Sequence, residues 1–189
     1  MKESALEELS FSRGVTDCIP TLLGYLSIGF AAGVIEATAG MSLLEIALLS
    51  IFLYAGSAQF IVAGLLAAGA PIASVIMTVF FVNLRHLLLS AAIAPKFAAY
   101  SPIKNFLIGS QLTDETFGVA VSRLTGPVRH LDRWMLGLNM TAHVNWVAAN
   151  VIGALLGGWI ADPERYGLHF ALPAMFIGLA AMMVMQRKQ

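Results

Sequence analysis

With 189 residues, 58% of them hydrophobic and only 12% charged, and a mean hydropathy of +0.79, the chain lies far from the soluble average of roughly 25% charged and reads as an integral membrane protein. A formal net charge of zero and the lack of any basic run argue against nucleic acid as a partner. The single cysteine, Cys18, has no second thiol for a disulfide or a metal site, so it reads as a small packing residue, and no metal or cofactor is expected.

Residues 1–14, MKESALEELSFSRG, are too acidic for a signal-peptide start and are expected to form a retained cytoplasmic segment, with Leu6, Leu9 and Phe11 resting on the membrane surface. The remainder, 15–189, reads as a single transmembrane domain. A first span over 15–37 contains Asp17, Tyr25 and a Pro20 that is expected to kink it, and Gly29 and Gly33 form a GxxxG suited to close helix contact. Ser42 and Glu45 have capping-box spacing and open a second span that runs to Ala68. The stretch Tyr54–Phe60 interrupts that span. Gly56, Ser57 and Gln59 are where a membrane helix unwinds into half-helices, whose N-terminal amides favour a carboxylate. A nucleophilic Ser57 with His86 or His143 as base would lack the second glycine of a GxSxG elbow, so the chain is not expected to be an enzyme.

The third span, Thr78–Pro95, places Arg85 and His86 in an apolar segment, where an arginine costs on the order of 2.5–3.5 kcal/mol unless protein or water meets it. At 100° per residue, Thr78, Asn83, Arg85, His86 and Ser90 share one side, and Phe80, Leu84, Leu87 and Leu88 take the other. Ser101 and Pro102 suit an N-cap and first helical position, and Ile103–Arg123 follows with Gln111, Thr113, Asp114 and Glu115 in its middle. Counting it as a span gives six, and with the N-terminus inside, seven basic residues are cytoplasmic against three outside. The fifth span, 135–160, aligns Asn139, His143, Trp146, Asn150, Gly153 and Gly157 on one face, which should meet protein. Asp162–Pro163 makes a turn, and Phe170–Met185 supplies the sixth span. The expected fold is therefore all-α, a polytopic bundle of about six transmembrane helices with a broken second helix. A shift of 86 residues lays 15–95 over 101–185, the pattern of two inverted three-helix repeats.

The Pro20 to Gly24-Tyr25 opening, the Ala39–Glu45 hairpin, Gly56-Ser57-Ala58-Gln59-Phe60, Asn83-Leu84-Arg85-His86 and Leu112–Phe117 occur in the order and spacing that resemble the AzlC family, over most of the chain. The resemblance implies the large subunit of a two-component exporter of branched-chain amino acids in the bacterial inner membrane, working with a small hydrophobic AzlD-type subunit. Members of that family run longer, with further hydrophobic sequence after the position of Gln189.

A zwitterionic substrate with an apolar side chain needs a cation or amides for its carboxylate, acceptors for its ammonium and an apolar slot. Arg85 or the Gly56–Ser57 helix start suits the first; Gln59, Asn83 and Asn139 suit the second; Phe60, Phe80 and Trp146 suit the third. Asp114 and Glu115, and after them Asp17, are the expected ion-pair partners of Arg85, and Asp114, Glu115, His86 or His143 are candidates for proton coupling. The alternative functional class is a gated channel for small solutes or ions, lined by Asn83, Arg85 and His86. A purely structural subunit leaves the buried arginine and histidine unexplained.

Overall fold

A computed structural model describes residues 7–124, 126, 128–157 and 159, with Arg165, Gly167, Phe170, Pro173, Ala174 and Ile177. Most of the expected sixth span, and the whole Asp162–Pro163 turn, lie outside the described residues. Along the chain run β1 (Glu7–Glu8), α1 (Phe11–Thr38), α2 (Leu43–Phe52), α3 (Gly56–Ala67), α4 (Ile72–Ile93), a 3-10 turn (Ala94–Phe97), α5 (Pro102–Ser110), α6 (Asp114–Arg123), β2 (Val128–Arg129) and α7 (Leu131–Gly157). Helix dominates as expected. One small departure is a parallel pairing of Glu7 with Val128 and of Glu8 with Arg129, continued by the Leu9 amide on the Arg129 carbonyl at 3.0 Å. Leu9 is buried, so it does not rest on a membrane surface as expected.

Three helices are long. α1 and the 72–97 stretch are long and apolar enough to cross a membrane, and α7, at 27 residues, spans about 40 Å at 1.5 Å per residue. α1 continues through Pro20 without a break. α2, α3, α5 and α6 are only 10, 12, 9 and 10 residues long. Each is about 14–18 Å long, half a bilayer's hydrocarbon depth.

The described residues fall into two compact units. The first comprises residues 1–22 with 84–144. In it the starts of α1 and α7 pack backbone to backbone: a Cβ on Gly14 would overlap the Trp134 carbonyl, and one on Gly137 the Phe11 carbonyl. Lys104, at the start of α5, reaches Asp132 in the first turn of α7 at 2.6 Å. Arg123, at the end of α6, approaches Asp17 Oδ2 at 3.5 Å, and Trp134 Nε1 donates to the same oxygen at 3.0 Å. In one continuous helix Lys104 and Arg123 would be about 28 Å apart. Lys104 instead reaches the first turn of α7, and Arg123 reaches the Asp17 carboxylate that Trp134 of the same turn also binds, so 102–123 enters and leaves at one end of this unit as a helical hairpin. This corrects the expectation of a fourth span. Arg13, Lys96, Lys104, Arg123, Arg129 and Arg133 all sit on segments at that end.

The second unit comprises residues 23–83 and 145–189. Here α1 and α7 run parallel, Gly29 and Gly33 facing Ala149 and Asn150, and Gly153 and Gly157 facing Phe30 and Val34. The polar and small stripe expected along 139–157 is turned inward, with Trp146, Asn150, Gly153 and Gly157 buried in this unit, and Asn139 buried and His143 half-buried in the first. α2 starts on the expected capping box, Ser42 Oγ accepting from the Glu45 amide and Glu45 Oε2 accepting from the Ser42 amide. It ends at a break where Tyr54 takes a left-handed φ of 45°. Ser50 and Gln59, about 14 Å apart along a continuous helix, are joined side chain to side chain at 3.1 Å. The second segment is broken where expected, but it turns back instead of continuing across. In place of six spans, the described residues hold three long helices and two half-length hairpins. The breaks also fall out of step with a repeat of 86 residues, which would pair continuous α1 with broken α5–α6.

Gly33→Ala should lower the thermal unfolding midpoint of the detergent-solubilised protein by the equivalent of about 1–3 kcal/mol, because the added methyl has only backbone to displace. Gly24→Ala, which meets nothing, should change it by less than about 0.5 kcal/mol. A second measurement concerns Asp132, which lies ahead of the apolar part of α7. Burial alone would raise its carboxyl, but the Lys104 hydrogen bond and charge and the Arg133 amide hold it below the usual carboxylate range. Its contribution is full above the unfolded value of about 3.9 and is lost as pH falls through the lower folded value. Asp132→Asn should therefore destabilise at neutral pH, with the difference from wild type shrinking on acidification.

Candidate functional site

Each hairpin bend gathers polar side chains. In the unit holding 84–144, α5 stops at Ser110 and α6 starts at Asp114 on a second capping box: the Thr116 amide donates to Thr113 Oγ1 at 3.3 Å and the Thr113 amide to Thr116 Oγ1 at 2.9 Å. The break between them releases carbonyls that a continuous helix would bond internally. Asn139 Nδ2 donates to the Ile108 carbonyl at 3.2 Å, Ser90 Oγ to the Gly109 carbonyl at 3.3 Å, and His86 Nδ1 to the Leu112 carbonyl at 2.9 Å. A carbonyl only accepts, so His86 Nδ1 carries the hydrogen; its Nε2 is buried with no hydrogen-bond partner among the described residues. Arg85 Nη1 meets Asp114 Oδ2 at 2.8 Å, each side chain being about one-fifth exposed. Asp114 is the first residue of α6, where the helix dipole adds to the attraction.

Of the residues singled out from the sequence, Arg85, His86, Asp114 and Asn139 thus converge on one bend. Asp17 does not join them. It binds Arg13 at 3.1 Å, Arg123 and Trp134. Glu115 and His143 are half-buried in the same unit.

The second cluster lies in the unit holding 23–83. Gln59 is fully buried at its centre. Its Oε1 accepts from Trp146 Nε1 at 2.7 Å, which fixes the amide because an indole only donates. Its Nε2 then faces Glu36 Oε1 at 2.9 Å, Ser50 Oγ at 3.1 Å and Asn150 Oδ1 at 3.2 Å. Asn150 is oriented by donating to the Trp146 carbonyl at 2.9 Å, and Tyr25 packs edge-on against the Trp146 ring at 6.0 Å. Gly56 lets the indole pass, since a Cβ there would lie 3.0 Å from Trp146 Cη2. Ser57 is buried, and its Oγ has no hydrogen-bond partner among the described residues. α3 begins at Gly56 behind Ala55, which supplies no side-chain cap. Asn83 Oδ1 is likewise buried without a hydrogen-bond partner. Phe80 is 58% exposed and lines no slot.

Reading the sequence for binding residues missed Glu36, Ser50 and Asn150 as members of a site. The signal for Glu36 was present: it is the one acidic residue between Asp17 and Glu45, inside an apolar run. A buried carboxylate needs a partner as much as a buried arginine does.

A family model described as AzlC protein matches residues 20–160. The chain is 31% identical over 185 residues to the inner membrane protein YgaZ of Escherichia coli, covering 95% of this chain and 75% of that protein. It is 32% identical over 171 residues to an uncharacterized membrane protein of Archaeoglobus fulgidus, covering 89% and 74%. Similarity extends to the branched-chain amino acid transport protein AzlC of Bacillus subtilis, at 29% over 162 residues, 84% of this chain and 62% of that one. No solved structure matches.

The ion pair sets a stability test. Arg85→Met should cost roughly 1–3 kcal/mol, between the values for exposed and fully buried pairs, by leaving the Asp114 carboxylate unmatched. Adding Asp114→Leu should recover most of that loss, read as unfolding midpoints of both variants.

Proposed function

Since the chain belongs to the AzlC family and is thereby a membrane protein of a transport-associated class, we propose that it exports apolar amino acids, the branched-chain ones first, coupled to the proton gradient. The observation that carries this reading is the buried start of α3. The amides of Gly56, Ser57 and Ala58 precede the first intrahelical bond, which the Gln59 amide makes to Ala55, and Ala55 supplies no cap. With the unengaged Ser57 Oγ, they form a donor set suited to a carboxylate. In this reading Arg85, matched by Asp114, holds the 102–123 hairpin, and the substrate carboxylate goes to Gly56 and Ser57. Asn83 Oδ1, in the same unit, is a buried acceptor without a hydrogen-bond partner among the described residues, of the kind an ammonium requires.

The N-terminus is assigned to the cytoplasm because six basic residues share its end of the first unit. A small hydrophobic AzlD-type subunit is the proposed partner, and the apolar face of α4, with Ile72, Ile76, Phe81, Leu87 and Leu88 exposed, suits a neighbour in the membrane.

Valine export from cells tests the reading, with each variant matched for membrane abundance. Ser57→Val should raise the valine concentration needed for half-maximal export. Arg85→Lys, His86→Gln and Asp114→Asn should slow export by disturbing the hairpin bend. Normal export by all four variants would overturn the assignment, and flux that never saturates would identify a channel instead.

A further inference from the structure

We propose that Glu36 is a proton-binding site of this protein, carrying its proton while sealed in the Gln59 network and releasing it when the bend at 53–55 rearranges. Glu36 is 0% exposed. Among the described residues its Oε1 has one partner, the Gln59 amide, and its Oε2 has none. Among the described residues, no cation pairs with it.

Hydrogen-bond supply decides which form of the acid this arrangement accommodates. Gln59 Nε2 has two hydrogens and faces three oxygens, those of Glu36, Ser50 and Asn150. Ser50 gives its own hydrogen to the Ile46 carbonyl at 2.8 Å, and the Asn150 amide is spent on Trp146. The network is thus one donor short, and a carboxylate would add negative charge without adding a hydrogen. A proton on Glu36 Oε2 removes that charge and leaves Oε1 free to accept from Gln59. Gln59, which bonds Glu36, and Ser50 and Asn150, which share the same Gln59 nitrogen, are all uncharged. Of the other titratable side chains described in this unit, Tyr25 is buried against the Trp146 ring and Tyr54 is buried at the break.

The surroundings admit a proton more readily than anything larger. Gly29 and Gly33 lie against Ala149 and Asn150, and Gly56 against Trp146, with no room even for a methyl group. Two of the network's members, Ser50 and Gln59, flank the break at Leu53–Ala55, where Tyr54 already holds a left-handed backbone. Movement at the break parts Ser50 from Gln59 and opens Oε2 to water, and the proton leaves to that water.

Infrared difference spectra of the purified protein in lipid nanodiscs, titrated from acid to alkaline pH, test the site without reference to transport. Wild type should lose a protonated-carboxyl carbonyl band and gain a carboxylate band as pH rises; Glu36→Gln, the neutral isostere, should lack that change. If Glu36→Gln does not accumulate, Glu36→Asp serves, and its band should titrate at a shifted midpoint. The same titration in Glu36→Gln, an unmoved midpoint in Glu36→Asp, or no protonated band in wild type would each overturn the proposal. A second arm rests on the exporter reading. In proteoliposomes Glu36→Gln should retain valine exchange and lose accumulation driven by a pH gradient; retained accumulation counts against the site, whereas wild-type liposomes that carry no valine refute the exporter reading and leave the infrared result to decide on Glu36.

Discussion

A backbone that stops being helical inside an apolar layer must find partners for the groups it releases, because no water is there to take them. That constraint accounts for the polar side chains gathered at the bend between α5 and α6. At 111–113 the freed carbonyls of Ile108, Gly109 and Leu112 are met by Asn139, Ser90 and His86, from α7 and α4. Each such bond contributes about 1 kcal/mol net, but leaving the carbonyl unmet would cost about 1–3 kcal/mol. The side chains are therefore conditions for the bend to exist. Arg85 belongs to the same set: it fixes the first residue of α6 by its pairing with Asp114.

The bend between α2 and α3 meets the constraint differently. Side chains there bond to one another around Gln59, and the first amides of α3 are left without a cap. One bend is thus closed by its neighbours, while the other is tied at its side chains and keeps free backbone donors. This contrast is the basis of the proposal that a substrate carboxylate goes to Gly56 and Ser57, where donors remain, while Arg85 pairs with Asp114. It also explains the glycines of α1 and α7, whose close backbone approach brings Trp146 and Asn150 within reach of Gln59.

Much of this was legible in the amino-acid sequence. Composition placed the chain in a membrane, the Ser42–Glu45 spacing located the start of α2, and the run from Tyr54 to Phe60 marked the break. The 139–157 periodicity picked out the buried face of α7, and the misplaced charge of Arg85 pointed to Asp114. Each of these is a local property. Hydropathy sums over a window, capping reaches three residues, helical periodicity needs one turn after another, and a charge in oil requires an opposite charge.

Tertiary structure alone decided the direction of the chain after each break. Window hydropathy is the same for a segment that crosses and for one that turns back at half depth, so 43–67 and 102–123 read as spans. Only the arrival of Lys104 at Asp132 and of Arg123 at the Asp17 carboxylate that Trp134 also binds, and of Ser50 beside Gln59, shows that they fold back. The fold-back also removes the charge argument for a fourth crossing, since two crossings replaced by two hairpins return Lys96 and Lys104 to the basic end. Glu36 escaped notice for a related reason. Its one partner among the described residues is 23 residues away, and a carboxyl near the end of an apolar helix looks from sequence like one that reaches water, until packing seals it.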